Sequence, residues 1–347
     1  MISVAALTLG SNTPSARFRV RQFIPALSAA GIQVTERHPG PATEPGLSRK
    51  PALRALQLGA RFGRDAVRRL PSAAATWRAD VSWLSKQIVV GIPSWEWALR
   101  RPLVLDVDDA LWLARPFGVA AARRAAQAAQ VVVVGNRFLG AWYAQHNRNV
   151  RVVPTSIDTT RFKPQPARVG QPFVVGWTGS RATLPYLEAI QGALDAFFDA
   201  HRDARLLVIC DQPPRFTGRT RHHLEFVRWT PESELGGLAS VSIGIMPLPD
   251  DDLARGKCSF KMLQYMACGL PVVVSPVGSN AEILEQGEVG WAASDTESWV
   301  SALEACQRDP DLAARLGSAG RDLVEREYSV ASSAKKLADV FQSVVGA

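Results

Sequence analysis

The sequence predicts an α/β protein made of two Rossmann-like domains. Three observations predict it. Short β-branched runs alternate with helix-length segments along the whole chain. The alternation occurs twice, on either side of a polar stretch at 158–172 that carries three prolines. The chain has 347 residues, enough for two domains of about 150 each. Strands joined through helices pair in parallel, with right-handed crossovers.

The elements follow in order. Ile2–Leu9 reads as the first strand, and the turn-rich Gly10-Ser-Asn-Thr-Pro-Ser-Ala16 as the loop after it. Arg17–Ala30 is expected to be helical, with Gly31 as its stop, and Ile32–Arg37 to be the second strand. Val81–Leu84, Leu103–Val107, Val131–Val134 and Val150–Val153 supply the remaining strands of the first half. The second half offers Phe173–Trp177, Arg205–Ile209, His223–Val227, Ser242–Met246 and Val272–Ser275, with helical segments between them.

Composition narrows the class. Hydrophobic residues make up 47% of the chain, so both halves have material for a core. No apolar run reaches the roughly 18 residues of a membrane span. The N-terminal stretch lacks a basic region and reads as a strand, not a signal peptide. Four cysteines, Cys210, Cys258, Cys268 and Cys306, show no metal or disulfide spacing and suit a reducing cytoplasm. Residues 1–170 hold 24 basic and 9 acidic side chains, a balance of +15, against 16 and 23, or −7, in the rest. The first half is therefore expected to meet something acidic.

One segment, 49–70, reads as a basic amphipathic helix. Leu53, Leu56, Ala60, Gly63, Val67 and Leu70 recur at spacings of three and four. Arg54, Arg61 and Arg68 mark another face. Such a helix either packs on its own domain or lies on an anionic bilayer. Nucleic acid is not expected as a partner, because few aromatics interleave with the arginines.

The stretch Arg255–Leu284 carries the most chemistry. It reads as loop, helix, tight turn, buried strand, glycine loop and second helix. Gly269 suits a left-handed helix C-cap and Pro271 forbids continuation. A helix N-terminus offers N–H groups and a partial positive charge. The backbone of Cys258, Ser259 and Phe260 could cradle a pyrophosphate there, with Lys257 or Lys261 adding a full charge. A second phosphate candidate is Gly176-Trp-Thr-Gly-Ser-Arg-Ala-Thr183, where Thr178, Gly179, Ser180 and Arg181 follow a strand. Trp177 within it packs either under a nucleotide or in the core.

Four segments together resemble one family. They are Ser15-Ala-Arg-Phe-Arg-Val-Arg-Gln-Phe-Ile-Pro-Ala-Leu27, Asp106-Val-Asp-Asp-Ala-Leu-Trp112, Val153-Pro-Thr-Ser-Ile-Asp158 and the block from Lys257 to Glu282 with its Met266-Ala-Cys-Gly-Leu-Pro-Val-Val273 core. The chain is similar to the retaining GT-B-fold glycosyltransferases of family four, over nearly its whole length. The resemblance implies two Rossmann-like domains facing each other across a cleft. Residues 1–165 would form the acceptor domain and 166–328 the nucleotide-sugar domain, with the helix 329–347 packing back on the first.

The resemblance also implies roles. A sugar moves from a nucleotide-diphospho-sugar to an acceptor hydroxyl, in polysaccharide, glycolipid or glycoside synthesis. The acceptor is a glycan, a lipid-linked or a small molecule, and no cofactor or metal is needed. Donor contacts fall on Gly10, Thr178, Gly179, Ser180, Arg181, Trp229, Lys257, Cys258, Ser259, Phe260 and Gln264. Asp106, Asp108 and Lys261 are the catalytic candidates, and Ser15, Arg17, Arg21 and Asp109 the acceptor candidates. The family places two carboxylates eight positions apart along the donor helix; here those positions hold Gly256 and Gln264. That departure keeps two alternatives in view, a non-catalytic glycosyltransferase-like subunit and a sugar-nucleotide epimerase. A cytoplasmic location is expected, peripheral on the inner face of the plasma membrane if 49–70 meets lipid.

Overall fold

The structure, a computed structural model, describes residues 1–40, 50–164 and 170–346. Arg49, the 165/166 domain boundary and the Arg54 side chain lie outside the described residues. The chain divides into two compact units. One comprises Met1–Ser156, Gly256–Cys258 and Val330–Ala347, the other Ile157–Arg255 and Ser259–Ser329.

The first unit is a six-stranded parallel sheet in the order β2-β1-β3-β4-β5-β6. Its strands are β1 (Ile2–Leu7), β2 (Ile32–Arg37), β3 (Val81–Ser85), β4 (Leu103–Val107), β5 (Val131–Val134) and β6 (Val150–Val152). Its helices are α1 (Ile24–Ala29), α2 (Pro51–Arg68), α3 (Leu70–Thr76), α4 (Gly118–Ala128), α5 (Arg137–Ala144) and the terminal Val330–Val345. Both faces of the sheet are covered, which is why β5 reads as four valines without alternation. Val131 and Val133 pack with Trp83, Leu337 and Phe341. Val132 and Val134 turn to the other face and pack with Leu139 and Tyr143.

The second unit repeats the plan with the order β12-β11-β10-β7-β8-β9. Its strands are β7 (Val174–Thr178), β8 (Arg205–Cys210), β9 (Leu224–Arg228), β10 (Ile243–Met246), β11 (Val272–Val274) and β12 (Gly290–Ala292). Between them run α6 (Leu184–Glu188), α7 (Gln191–Ala200), α8 (Thr220–His223), α9 (Pro231–Leu238), α10 (Asp252–Arg255), α11 (Phe260–Ala267), α12 (Ser279–Leu284), α13 (Thr296–Arg308) and α14 (Pro310–Leu323). Val273 faces one core cluster, and Val272 and Val274 the other. The turn after α11 matches expectation: Gly269 has φ +71° and closes the helix.

Three expectations differ from the structure. The helix expected over Arg17–Ala30 is broken into a π turn at Ala16–Val20, a 3₁₀ turn at Arg21–Phe23 and α1. Pro25 lacks an N–H and cannot sit mid-helix, so the α-helix restarts with proline in its first turn. The helix at 49–70 restarts at α3 in the same way, on Pro71. Strand β12 was not expected, because Gly-Trp-Ala is too short and too poor in β-branched residues to signal.

In each sheet the strand order reverses once. In the first unit the reversal lies between β1 and β3, in the second between β7 and β10. Doubly wound sheets take ligands outside the strand C-termini at such points.

Candidate functional site

In the second unit the chain leaving β7 meets the first turn of α11. Lys261 sits in that turn. Its Nζ lies 4.5 Å from the centroid of the Trp177 ring and donates to Thr183 Oγ1 at 3.0 Å. Thr183 in turn donates to the Ser180 carbonyl, tightening the loop. Gly179 is needed where it stands: a Cβ there would lie 2.3 Å from the Trp177 ring and 3.0 Å from the Lys261 side chain. Trp177 is 2% exposed and belongs to the core, so its ring is a fixed face on which an ammonium rests. A cation is thereby held where helix N–H groups converge, an arrangement suited to a phosphate.

Ser259, just before α11, adopts a left-handed conformation, φ +52°. Its hydroxyl donates to Asn280 Oδ1 at 2.6 Å, and Asn280 Nδ2 donates to the Ser275 carbonyl. All three residues are buried. This chain of bonds holds the strained entry to the helix.

A second polar group lies deeper. Thr178 is the last residue of β7. Its N–H donates to the Tyr265 hydroxyl at 2.9 Å and its hydroxyl to Glu234 Oε1 at 3.3 Å. Glu234, on α9, accepts a further bond at the same oxygen from Trp229 Nε1, at 3.1 Å. Tyr265 packs on β10 at Gly244, where a Cβ would lie 2.2 Å from the ring. Burial raises the Tyr265 phenol above its ordinary range, and the Glu234 charge adds to that. Trp229 leaves 38% of its surface open. Gln264, next to Tyr265 on α11, is 2% exposed, and its Nε2 has no partner.

The first unit brings the acidic motif together differently. Asp106, at the end of β4, is 1% exposed and takes a bidentate pair from Arg19, with Nε at 2.8 Å. Arg19 also donates to the Val153 carbonyl. Asp108 and Asp109 share Lys86, which follows β3; the Asp108 contact is 3.1 Å. Burial opposes the ammonium charge of Lys86, but the two carboxylates outweigh it and hold its pKa above the usual lysine range. Against them lies the tripeptide Gly256–Cys258. Asn136 Nδ2 donates to the Lys257 carbonyl, and Cys258 Sγ donates to the Asp108 carbonyl. Burial, with the Asp108 charge behind it, pushes the Cys258 thiol up to about 12, so it is not a nucleophile.

Against the expectations, the structure groups Thr178, Gly179, Ser180, Arg181, Trp229, Ser259, Phe260, Lys261 and Gln264 in the second unit, and Gly10, Ser15, Lys257 and Cys258 in the first with the acidic and arginine candidates. Asp106, expected to be catalytic, is buried in its bidentate pair with Arg19, a geometry that suits a structural residue. Arg21 is held by Glu36 at 2.8 Å. Arg17 lies over Phe18. Gly10 closes its loop by accepting from the Thr13 hydroxyl, and Ser15 is buried. Arg181 is exposed, its N–H bound to Asp211. Glu234, Tyr265, Asn280, Arg19 and Lys86 were not anticipated. For Glu234 the only sequence signal is its place one turn into a helix that follows the Trp229-Thr-Pro turn.

Two six-stranded parallel sheets with reversals at these points define a GT-B fold, and the solved structures agree. The chain is similar to sucrose-phosphate synthase from Thermosynechococcus elongatus, with TM-score 0.74 and 14% identity over 100% of both chains. It is similar to HepE from Anabaena in complex with UDP and glucose, with TM-score 0.73 and 14% identity, covering 99% of this chain and 100% of that one. WaaG, a glycosyltransferase involved in lipopolysaccharide biosynthesis, gives 0.66 at 14% identity, over 97% and 99%. Residues 172–309 match the model of the family of glycosyl transferases group 1. A 90-residue stretch is 33% identical to the alpha-maltose-1-phosphate synthase of Mycolicibacterium smegmatis, spanning 24% of this chain and 23% of that protein.

Proposed function

We propose that the chain transfers a sugar from a nucleotide-diphospho-sugar to an acceptor hydroxyl, with retention and without a metal. One observation carries the reading: Lys261, fixed over Trp177 at the head of α11, beside a glycine-bearing loop. A departing diphosphate gains negative charge as the glycosidic bond breaks, and a prepositioned cation and helix N-terminus stabilise that charge. HepE, of the same fold, is described in complex with UDP-glucose, which supports a nucleotide-sugar donor. The second unit takes the donor and the basic first unit the acceptor, a glycan, lipid-linked or small molecule. Asp108 remains a catalytic candidate and Asp109 an acceptor-orienting one. The test is a thermal-shift screen against UDP-, GDP-, ADP- and dTDP-sugars, since a ligand of the folded state raises stability as ln(1 + [L]/Kd). No shift with any of them overturns the donor assignment. Turnover abolished by EDTA and restored by Mn²⁺ overturns metal independence.

Helix α2 supports a peripheral place on an anionic membrane at the cytoplasmic face. Its packed side is Phe62 and Ala66, which touch the first unit's core. The stripe expected to be apolar points outward instead: Leu53, Leu56, Val67 and Leu70 are 46%, 70%, 64% and 52% exposed. Arginines 61, 64 and 68 flank it, suited to anionic headgroups. Among the described residues no helix is long and apolar enough to cross a membrane. Flotation on neutral and on anionic liposomes tests the proposal; equal recovery with both overturns it.

A further inference from the structure

In the second unit Gln264 and Glu234 each keep a side-chain polar atom without a protein partner. One is Gln264 Nε2. The other is Glu234 Oε2: both bonds that Glu234 receives, from Thr178 and Trp229, end on Oε1. Glu234 is 6% exposed and no cation pairs with it among the described residues. Its two donors are neutral. A carboxylate held this way is incompletely compensated and calls for a further hydrogen-bond donor.

The two open atoms are chemically complementary. Oε2 only accepts, and the Gln264 amide nitrogen only donates. Thr178 ties their surroundings together, since it bonds both Glu234 and Tyr265, the neighbour of Gln264. A hydroxyl donates and accepts at once, so a vicinal diol answers both atoms. The half-open Trp229 indole, fixed edge-on by Glu234, offers a flat face beside that carboxylate. Stacking on such a face tolerates any base.

We propose that Glu234 recognises the ribose of the nucleoside diphosphate, accepting a hydroxyl hydrogen bond at Oε2 while Gln264 Nε2 donates to the same diol. The carboxylate that α11 lacks is thereby supplied from α9. The proposal depends on the nucleotide-sugar reading above.

The experiment measures binding by calorimetry. The tightest of UDP, GDP and ADP is chosen, then compared with its 2′-deoxy and 3′-deoxy forms on wild type and Glu234→Gln. Glutamine can keep the Thr178 and Trp229 bonds at its carbonyl, so the fold is spared, and inorganic pyrophosphate serves as the binding control. A hydrogen bond to a charged group predicts roughly a tenfold or greater loss for the ribonucleotide. The loss is expected to vanish for the deoxy form lacking the recognised hydroxyl. Pyrophosphate binding is expected to be unchanged. Equal affinity of wild type and variant for the ribonucleotide overturns the proposal. An equal loss for the ribose form and both deoxy forms also overturns it, and points to the base edge. If wild type binds none of the three nucleotides, the nucleotide-sugar reading itself falls.

Discussion

The two sheet-reversal points treat charge in opposite ways. In the first unit every acidic residue of Asp106–Asp109 is answered by a cation: Arg19 for Asp106, Lys86 for Asp108 and Asp109. In the second unit Glu234 receives only neutral donors, and Gln264 Nε2 has no partner. One unit thus holds a closed charge network near its reversal point and the other an open one. A closed network stabilises and specifies the core; an open one leaves atoms for a ligand. The conspicuous acidic motif is thus paired within the protein, whereas an inconspicuous glutamate is not paired with a cation among the described residues.

Breaking each network shows the difference. The largest effect is expected at Arg19. Arg19→Leu strands Asp106 as an uncompensated buried carboxylate and costs about 3–5 kcal/mol, read by denaturant unfolding. Lys261→Ala does the reverse: turnover falls roughly 100-fold while the midpoint moves little. An unchanged rate removes Lys261 from the site. Gly135→Ala lies between them, because its Cβ would fall 2.2 Å from Cys258 Sγ. Overpacking of that kind costs about 1–3 kcal/mol and loosens the tripeptide before α11.

The smallest effect is in pH. The folded pKa of Lys86 is raised, so its pairs stabilise the first unit fully below the unfolded lysine value, about 10.4, and the contribution is lost as pH rises through the higher folded value. Lys86→Met is expected to remove that alkaline dependence and leave the difference from wild type flat between pH 6 and about 9. A steep difference at neutral pH contradicts the assignment.

The strands were legible because burial on both faces demands unbroken β-branched runs, as Val131–Val134 and Val272–Val274 show. The turn at Gly269 was legible because only glycine occupies that conformation cheaply. The helix after Ser259 was legible from its stop at Gly269 and Pro271, and Lys261 stands in its first turn. What escaped was tertiary. Arg17, Arg19 and Arg21 look alike in sequence, yet the π turn sends Arg19 into the core and leaves the other two outside. Glu234 looks like an ordinary residue in a first helical turn; only its distance from Trp229 and Thr178 distinguishes it. The outward stripe of α2 was read correctly as a stripe, but periodicity does not say which face meets the protein.

The terminal segment 330–347 belongs to the first unit, where Phe341 meets Trp83 edge-on at 5.1 Å, with Leu337 in the same cluster. The helix that completes this face of the sheet therefore follows the entire second unit in sequence. Contacts of such sequence separation form only once a long loop has closed, so this part of the first unit's core waits on a slower event than the pairing of its neighbouring strands.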